Sequence, residues 1–227
     1  MTLRILFLGT AAAEGIPAPF CECDVCRHAR QVGGRDARMR TATLVNDDLL
    51  IDFGPDIVAS AQRQSLSLSR VETVLVTHDH MDHWYPDNLM LRACWFRATP
   101  VPPLRLFAPD PVTRLFSADA RWSQRLADAA VLVETVEPGQ SWRAGAYRLT
   151  ALPATHANGE GALLYCVDDG SKKLLYATDT GPLSEQAWSM VAREAGSKTY
   201  RPGGVTAQAF YTIGSQGLIQ SSSSSTD

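Results

Sequence analysis

No apolar run in this 227-residue sequence is long enough to cross a bilayer, so no membrane-spanning helix is expected. Strong charge of either sign is also missing. Lys and Arg number 21 against 24 Asp and Glu, a net charge of -3, which leaves no electrostatic case for binding nucleic acid or an anionic membrane. The opening MTLRILFLGTAAAEG has a single basic residue, and its apolar run stops at Gly9. It reads as a buried first strand, apolar on both faces and central in its sheet, and not as a secretory leader, and a cytoplasmic location is expected. Cysteine is sparse and odd in number, at five. Three cluster as CECDVC while Cys94 and Cys166 stand alone, a pattern that favours metal over disulfides in a reducing compartment. Histidine is equally sparse at five, and none follows His156.

What is present describes an ordinary soluble chain of one medium domain, 45% apolar and 20% charged. Strand patterns at 3–8, 41–45, 49–53 and 71–77 alternate with helical spacing at 55–64 and 86–96. After a stiff connector at Pro100, Pro102 and Pro103 the pattern restarts. Strands are expected at 104–108, 131–136 and 147–152, with a hairpin at 163–168 and 173–178 around Asp-Asp-Gly. Helices are expected at 112–129 and 183–194. Two β-rich halves carrying helices suggest an α/β (α+β) protein with two packed sheets and helices outside. From about residue 196 the composition turns to Gly, Ser, Thr and Gln and ends in a serine run. A domain at 1–195 followed by a flexible tail at 196–227 is the expectation.

The scarce histidines are not scattered. THDHMDHW places His78, Asp79, His80, Asp82 and His83 in six consecutive positions. Residues two apart in an extended chain share a side, so His78 and His80 can face one point; a turn at Met81 would bring Asp82 and His83 to the same place. Neutral imidazole and carboxylate are the donors that Zn²⁺ and similar ions take. Five donors exceed one tetrahedral ion and suit two. His156, in LPATHA, and Asp179, in LLYATDTG, also follow strands directly. Alone, each reads as a polar loop residue or a helix cap. The same strand-then-ligand placement occurring three times favours a shared site.

THDHMDH, with Asp52 upstream and His156 and Asp179 downstream, resembles the His-x-His-x-Asp-His signature of the metallo-β-lactamase superfamily, over residues 1 to about 195. The early GTAAAEGIPAPFCECDVC is similar to that of the phosphodiesterases of the carbon–phosphorus lyase pathway, and more loosely to the pyrroloquinoline quinone biosynthesis B proteins. The resemblance implies a four-layer αββα sandwich with metals at one edge of the sheets. It implies that His78, His80 and His156 bind one ion, that Asp82 and His83 bind a second, and that Asp179 bridges them. The ions would be Zn²⁺, with Mn²⁺ as the alternative, and would activate a hydroxide that Asp82 orients. Asp79 would be no ligand. A phosphodiesterase acting on a small ester follows, with a carboxylic ester or lactone hydrolase as the alternative, or a metal-binding protein of little activity. Nucleic acid and membranes are not expected partners.

Cys21, Cys23 and Cys26 could wrap a structural zinc, for which a fourth donor is needed. In the family this resembles, that donor is a C-terminal histidine, absent here; His28 is the nearest substitute, and three reduced cysteines without an ion are the alternative. The family pattern also adds a further histidine, a strand and a helix after the Asp179 match. Their absence predicts a weak second metal site and an uncovered sheet edge, which a homodimer would shield. The abrupt change of composition is what a frameshift or truncation would leave.

Overall fold

The computed structural model describes residues 3–156, 161–195, 209–214 and 217–222. Two six-stranded sheets lie face to face with helices on both outer sides. The first sheet runs in chain order: β1 (Ile5–Gly9), β2 (Ala42–Val45), β3 (Leu49–Ile51), β4 (Thr73–Leu75), β5 (Leu104–Ala108) and β6 (Val131–Thr135). Its first three strands pair antiparallel and its last four parallel. The second sheet is an antiparallel meander of β7 (Ser141–Ala144), β8 (Tyr147–Pro153), β9 (Leu163–Asp168), β10 (Lys173–Ala177), β11 (Ala209–Gly214) and β12 (Gly217–Ser222). The helices are α1 (Asp24–Val32), α2 (Ile57–Arg63), α3 (Asp110–Ala118), α4 (Arg121–Asp128) and α5 (Glu185–Ala195). None is long and apolar enough to cross a membrane.

The two-residue period of each strand assigns its side chains to layers. On β3, Leu49 and Ile51 point between the sheets and Leu50 points to the helices. On β4, Leu75 faces the second sheet while Val74 faces the helical side. Phe107 of β5 meets Leu149, Tyr165 and Tyr176 in the same central layer. Leu164 and Cys166 of β9 turn the other way, with Val191 of α5. Glu194, near the end of α5, receives Arg148 at 2.7 Å and Lys173 at 3.4 Å, fastening the helix to the second sheet. Four layers result, αββα, as expected.

Several expectations need correction. β1 is an edge strand, not a central one, because among the described residues only β2 pairs with it. Its outer side is partly wet, with Phe7 exposed. The helix expected at 112–129 breaks at Asp119, which takes extended backbone angles and caps the Arg121 amide at 2.9 Å. Residues 86–96 form two 3-10 turns, Pro86–Arg92 and Cys94–Phe96, and not an α-helix. The tail expected to be flexible pairs as strands over 209–214 and 217–222, and β11 lies along β10. So the sheet edge expected to lie open at β10 is covered, and the sheet does not stop short of its outer strands. AFYTIG is rich in aromatic and β-branched residues, and a connection of two residues between Gly214 and Gly217 suits a hairpin. Residues 196–208, the start of the expected tail, lie outside the described residues, and no helix follows β12 among those described.

Across the central layer, the fully buried Tyr165 donates its hydroxyl to the Val76 carbonyl at 2.7 Å. It bolts β9 to the end of β4, directly before the histidine cluster. Tyr165→Phe would strand that carbonyl and should lower unfolding free energy by about 1–2 kcal/mol in denaturant titrations. An unchanged midpoint would mean that water replaces the hydroxyl.

Candidate metal centre

The site forms where three strand ends meet. β4 runs into Thr77 and the 78–83 loop, β8 leads to His156, and β10 leads to Asp179. The loop after β3, residues 52–56, supports it from below. Phe53 donates its amide to the His83 carbonyl and accepts from the Tyr85 amide, at 2.8 and 3.0 Å. A Cβ on Gly54 would sit 2.1 Å from the Asp82 carbonyl, so only glycine permits this approach. Asp52 and Asp179 both take left-handed backbone angles, φ 64 and 49, one and two residues after their strands. Aspartate tolerates this conformation better than most residues, and in both cases the sharp turn aims the carboxylate at the cluster.

Asp52 is fully buried and has four partners. It accepts from the Thr77 amide and hydroxyl at 2.9 Å each, from His83 Nδ1 at 2.8 Å and from the Tyr176 hydroxyl at 2.9 Å. These bonds settle proton positions. The single Thr77 hydroxyl proton goes to the carboxylate, so Thr77 Oγ1 can only accept from His78 Nδ1, 2.9 Å away. His78 Nε2 is therefore a bare lone pair. It is buried, has no hydrogen-bond partner, and lies 4.0 Å from Asp179 Oδ2.

Around that lone pair stand two donor sets. One nitrogen each of His78, His80 and His156 lie within 4.8 Å of one another, as do donor atoms of His78, His83 and Asp179. His80 Nδ1 and His156 Nε2 are 3.2 Å apart. Asp179 Oδ2 stands 2.9 Å from His83 Nε2, and Asp82 Oδ2 is 3.3 Å from the same nitrogen. All six residues expected as ligands thus converge, with His78 common to the two sets and Asp179 in the second. Asp79 points outward and is exposed. An unpartnered buried imidazole nitrogen facing carboxylate and imidazole donors fits a divalent cation such as zinc. These groups could hold one or two ions.

The electrostatics are uneven. Burial and the neighbouring His83 push His78 down to about 4. Burial also opposes charge on His83, but Asp52, Asp179 and Asp82 outweigh it and carry this imidazole up to about 12. Asp82 and Asp179 lie below the usual carboxylate range: burial works against ionisation, and the bonds from His83 overcome it.

The cysteines behave differently from the expectation. The sulfurs of Cys21, Cys23 and Cys26 come within 4.8 Å of one another, but His28 does not join them. Cys26 and His28 lie two residues apart on α1, where side chains diverge. Cys26 is buried, whereas His28 is exposed and sits 3.5 Å from Asp36. The sequence places Asp52 in the resemblance but does not show what it touches, because Tyr176 lies 124 residues away.

Two outcomes test this arrangement. Asp52→Asn keeps the shape but removes the nearer charge from His83 and turns one acceptor oxygen into a donor facing donors, while Asp179 and Asp82 still face His83; it should cost about 1–3 kcal/mol in chemical unfolding of metal-free protein. An acid-side slope should also appear. The folded state holds His78 near 4 against an ordinary 6.5, so its contribution is full above 6.5 and is lost as pH falls toward 4. His83, raised, contributes fully below 6.5 and loses its effect as pH rises toward about 12, so it adds no slope in the acid window. His156, lowered chiefly by burial, adds to the acid-side loss. The unfolding midpoint of metal-free protein should fall between pH 6.5 and 4, and His78→Gln should flatten that fall.

Comparison with known proteins places this geometry. Residues 48–196 match the family described as "Beta-lactamase superfamily domain". The fold is similar to zinc-bound PqqB from Methylobacterium extorquens, with a TM-score of 0.65 at 21% identity over 82% of this chain and 69% of that one. It is similar to a diphosphatase of the PhnP family, with a TM-score of 0.64 at 22% identity over 83% of this chain and 70% of that one. In sequence, the chain is 28% identical over 148 residues to ribonuclease Z of Thermosynechococcus vestitus, covering 65% of this chain and 33% of that protein. The chain spans between 19% and 33% of the length of the curated relatives it matches. On the family match, the four-layer fold and the convergence of its strand ends, the chain belongs to the beta-lactamase superfamily.

Proposed function

We propose that this protein is a metal-dependent hydrolase of phosphodiesters. The observation that carries the reading is the bare, buried Nε2 of His78, set among His80, His156, His83 and Asp179 and without a hydrogen-bond partner among the described residues. His78, His80 and His156 would hold one divalent cation, and Asp82, His83 and Asp179 a second. Bound there, zinc or manganese would act as a Lewis acid and make water a nucleophile at neutral pH.

The chain's own groups divide the remaining work. Thr77 and Asp52 keep His78 in the tautomer whose lone pair faces inward. Asp82, buried and held ionised, would accept a proton from the attacking water through Oδ2 and orient it. Asp179, 2.9 Å from His83 and 4.0 Å from His78, would bridge the two ions. Ribonuclease Z among the sequence relatives and a diphosphatase among the fold neighbours support phosphorus esters over carboxylic esters or lactones.

Metal analysis and turnover test this together. The protein as purified should contain zinc or manganese and cleave bis(4-nitrophenyl) phosphate faster than an aryl ester or a lactone. His78→Ala and Asp179→Asn should each lower that rate on the order of 100-fold, with loss of bound metal. Full metal content with no phosphodiester turnover, or lactone cleavage alone, would overturn the reading.

A further inference from the structure

We infer that the cavity between α2 and the helical face of the first sheet binds a small amphiphilic anion, an alkyl carboxylate of medium length, with its charge at Arg92 and Arg97 and its chain inside. The cavity has a volume of about 320 Å³, at the small end of ligand sites. None of the six candidate metal ligands lines it, and neither does any Asp or Glu. Its floor is formed by Leu50, Val74 and Leu104, the helix-facing residues of β3, β4 and β5, and α2 walls it through Ala61. Its two ends differ. Phe53, which follows β3 and bonds to His83, lies toward the metal centre. The Arg92 guanidinium reaches the carbonyls of Val71, Pro102 and Ala129, which precede β4, β5 and β6. Because β3, β4, β5 and β6 run parallel, the charged end lies toward the opposite end of the strands.

These two half-buried arginines carry charge without a counter-ion. Two of the three Arg92 bonds are long, at 3.4 Å, and weak for that reason. Arg97 donates through Nε to the Arg92 carbonyl at 2.6 Å and through Nη1 to the Thr99 carbonyl at 2.8 Å, and its Nη2 has no partner among the described residues. No carboxylate pairs with either arginine among those residues. Asp87, the acid of the same 3-10 segment, meets Arg125 at 2.8 Å. Burial and the nearby Arg97 push Arg92 down to about 10, the effect of two like charges in a partly dry place. A carboxylate at this rim relieves both, because each guanidinium keeps unused donors that suit its planar fork. The alkyl chain answers the depth. Leu50, Val74 and Leu104 are each 1% exposed, so the cavity ends beneath the surface against the sheet. A thin, flexible chain can enter such a space, and the face of a folded partner cannot.

Titration calorimetry of the purified full chain with hexanoate, octanoate and decanoate, all as monomers in solution, tests the site. Each added methylene should tighten Kd about fourfold. Decanol should bind about tenfold more weakly than decanoate. Arg97→Gln should weaken decanoate about tenfold and leave decanol unchanged, and Arg97→Lys should retain part of the preference. Ala61→Phe, which fills the cavity, should abolish binding of both. His78→Ala should bind decanoate as the wild type does, because the metal centre takes no part. An affinity that ignores chain length, or a decanoate-to-decanol ratio that Arg97→Gln leaves intact, overturns the site. Binding lost in His78→Ala would put the carboxylate on the metal and overturns it as well. Absence of decanoate binding also overturns it, and a dimer in sedimentation under those conditions would give this face to a second copy.

Discussion

A single buried carboxylate organises this protein. Asp52 carries a negative charge at full burial, which is costly unless every lone pair is used. Four donors from three residues in two segments meet that demand, two from Thr77 and one each from His83 and Tyr176. Because Thr77 and His83 belong to the first sheet's loop and Tyr176 to the second sheet, the bonds tie the two sheets together at the edge where the histidines emerge. Satisfying the charge and orienting the imidazoles are one physical act: the proton arrangement around Asp52 is what leaves His78 with an inward lone pair.

The layers and the histidine cluster were legible in the residues because both depend on local rules. The short apolar runs that became β3, β4 and β9 marked strands, and the two-residue spacing of His78 and His80 implied a shared side. The resemblance to a known signature added His156 and Asp179 as partners of that cluster, and the structure brings them there. What escaped depends on distance or competition. That Asp52 reaches Tyr176 cannot be seen from either strand alone. Whether β1 is central or at an edge depends on what lies beside it, and its apolar residues look alike in both cases.

Other misreadings share a physical reason. Asp119 interrupts an otherwise continuous helical pattern because its carboxylate caps the following turn, a local bond that competes with the helix. The Gly- and Ser-rich composition after residue 195 masked a short aromatic and β-branched run, which becomes a strand only because β10 offers it an edge. His28 is close to the cysteines along the chain, yet α1 carries it to the opposite side.

The two sheets reach their pairings by unlike routes. The second is a meander whose neighbouring strands are joined mostly by short connections, so most of its contacts close small loops. The first needs parallel crossovers, with β4 and β5 separated by nearly thirty residues. Small loops close sooner than large ones. The imidazole of His156 and the carboxylate of Asp179 therefore belong to the half that can organise early, and residues 78–83 to the half that organises late. Loop closure alone thus favours the second sheet first and leaves the docking of residues 78–83 against it to complete the donor cluster.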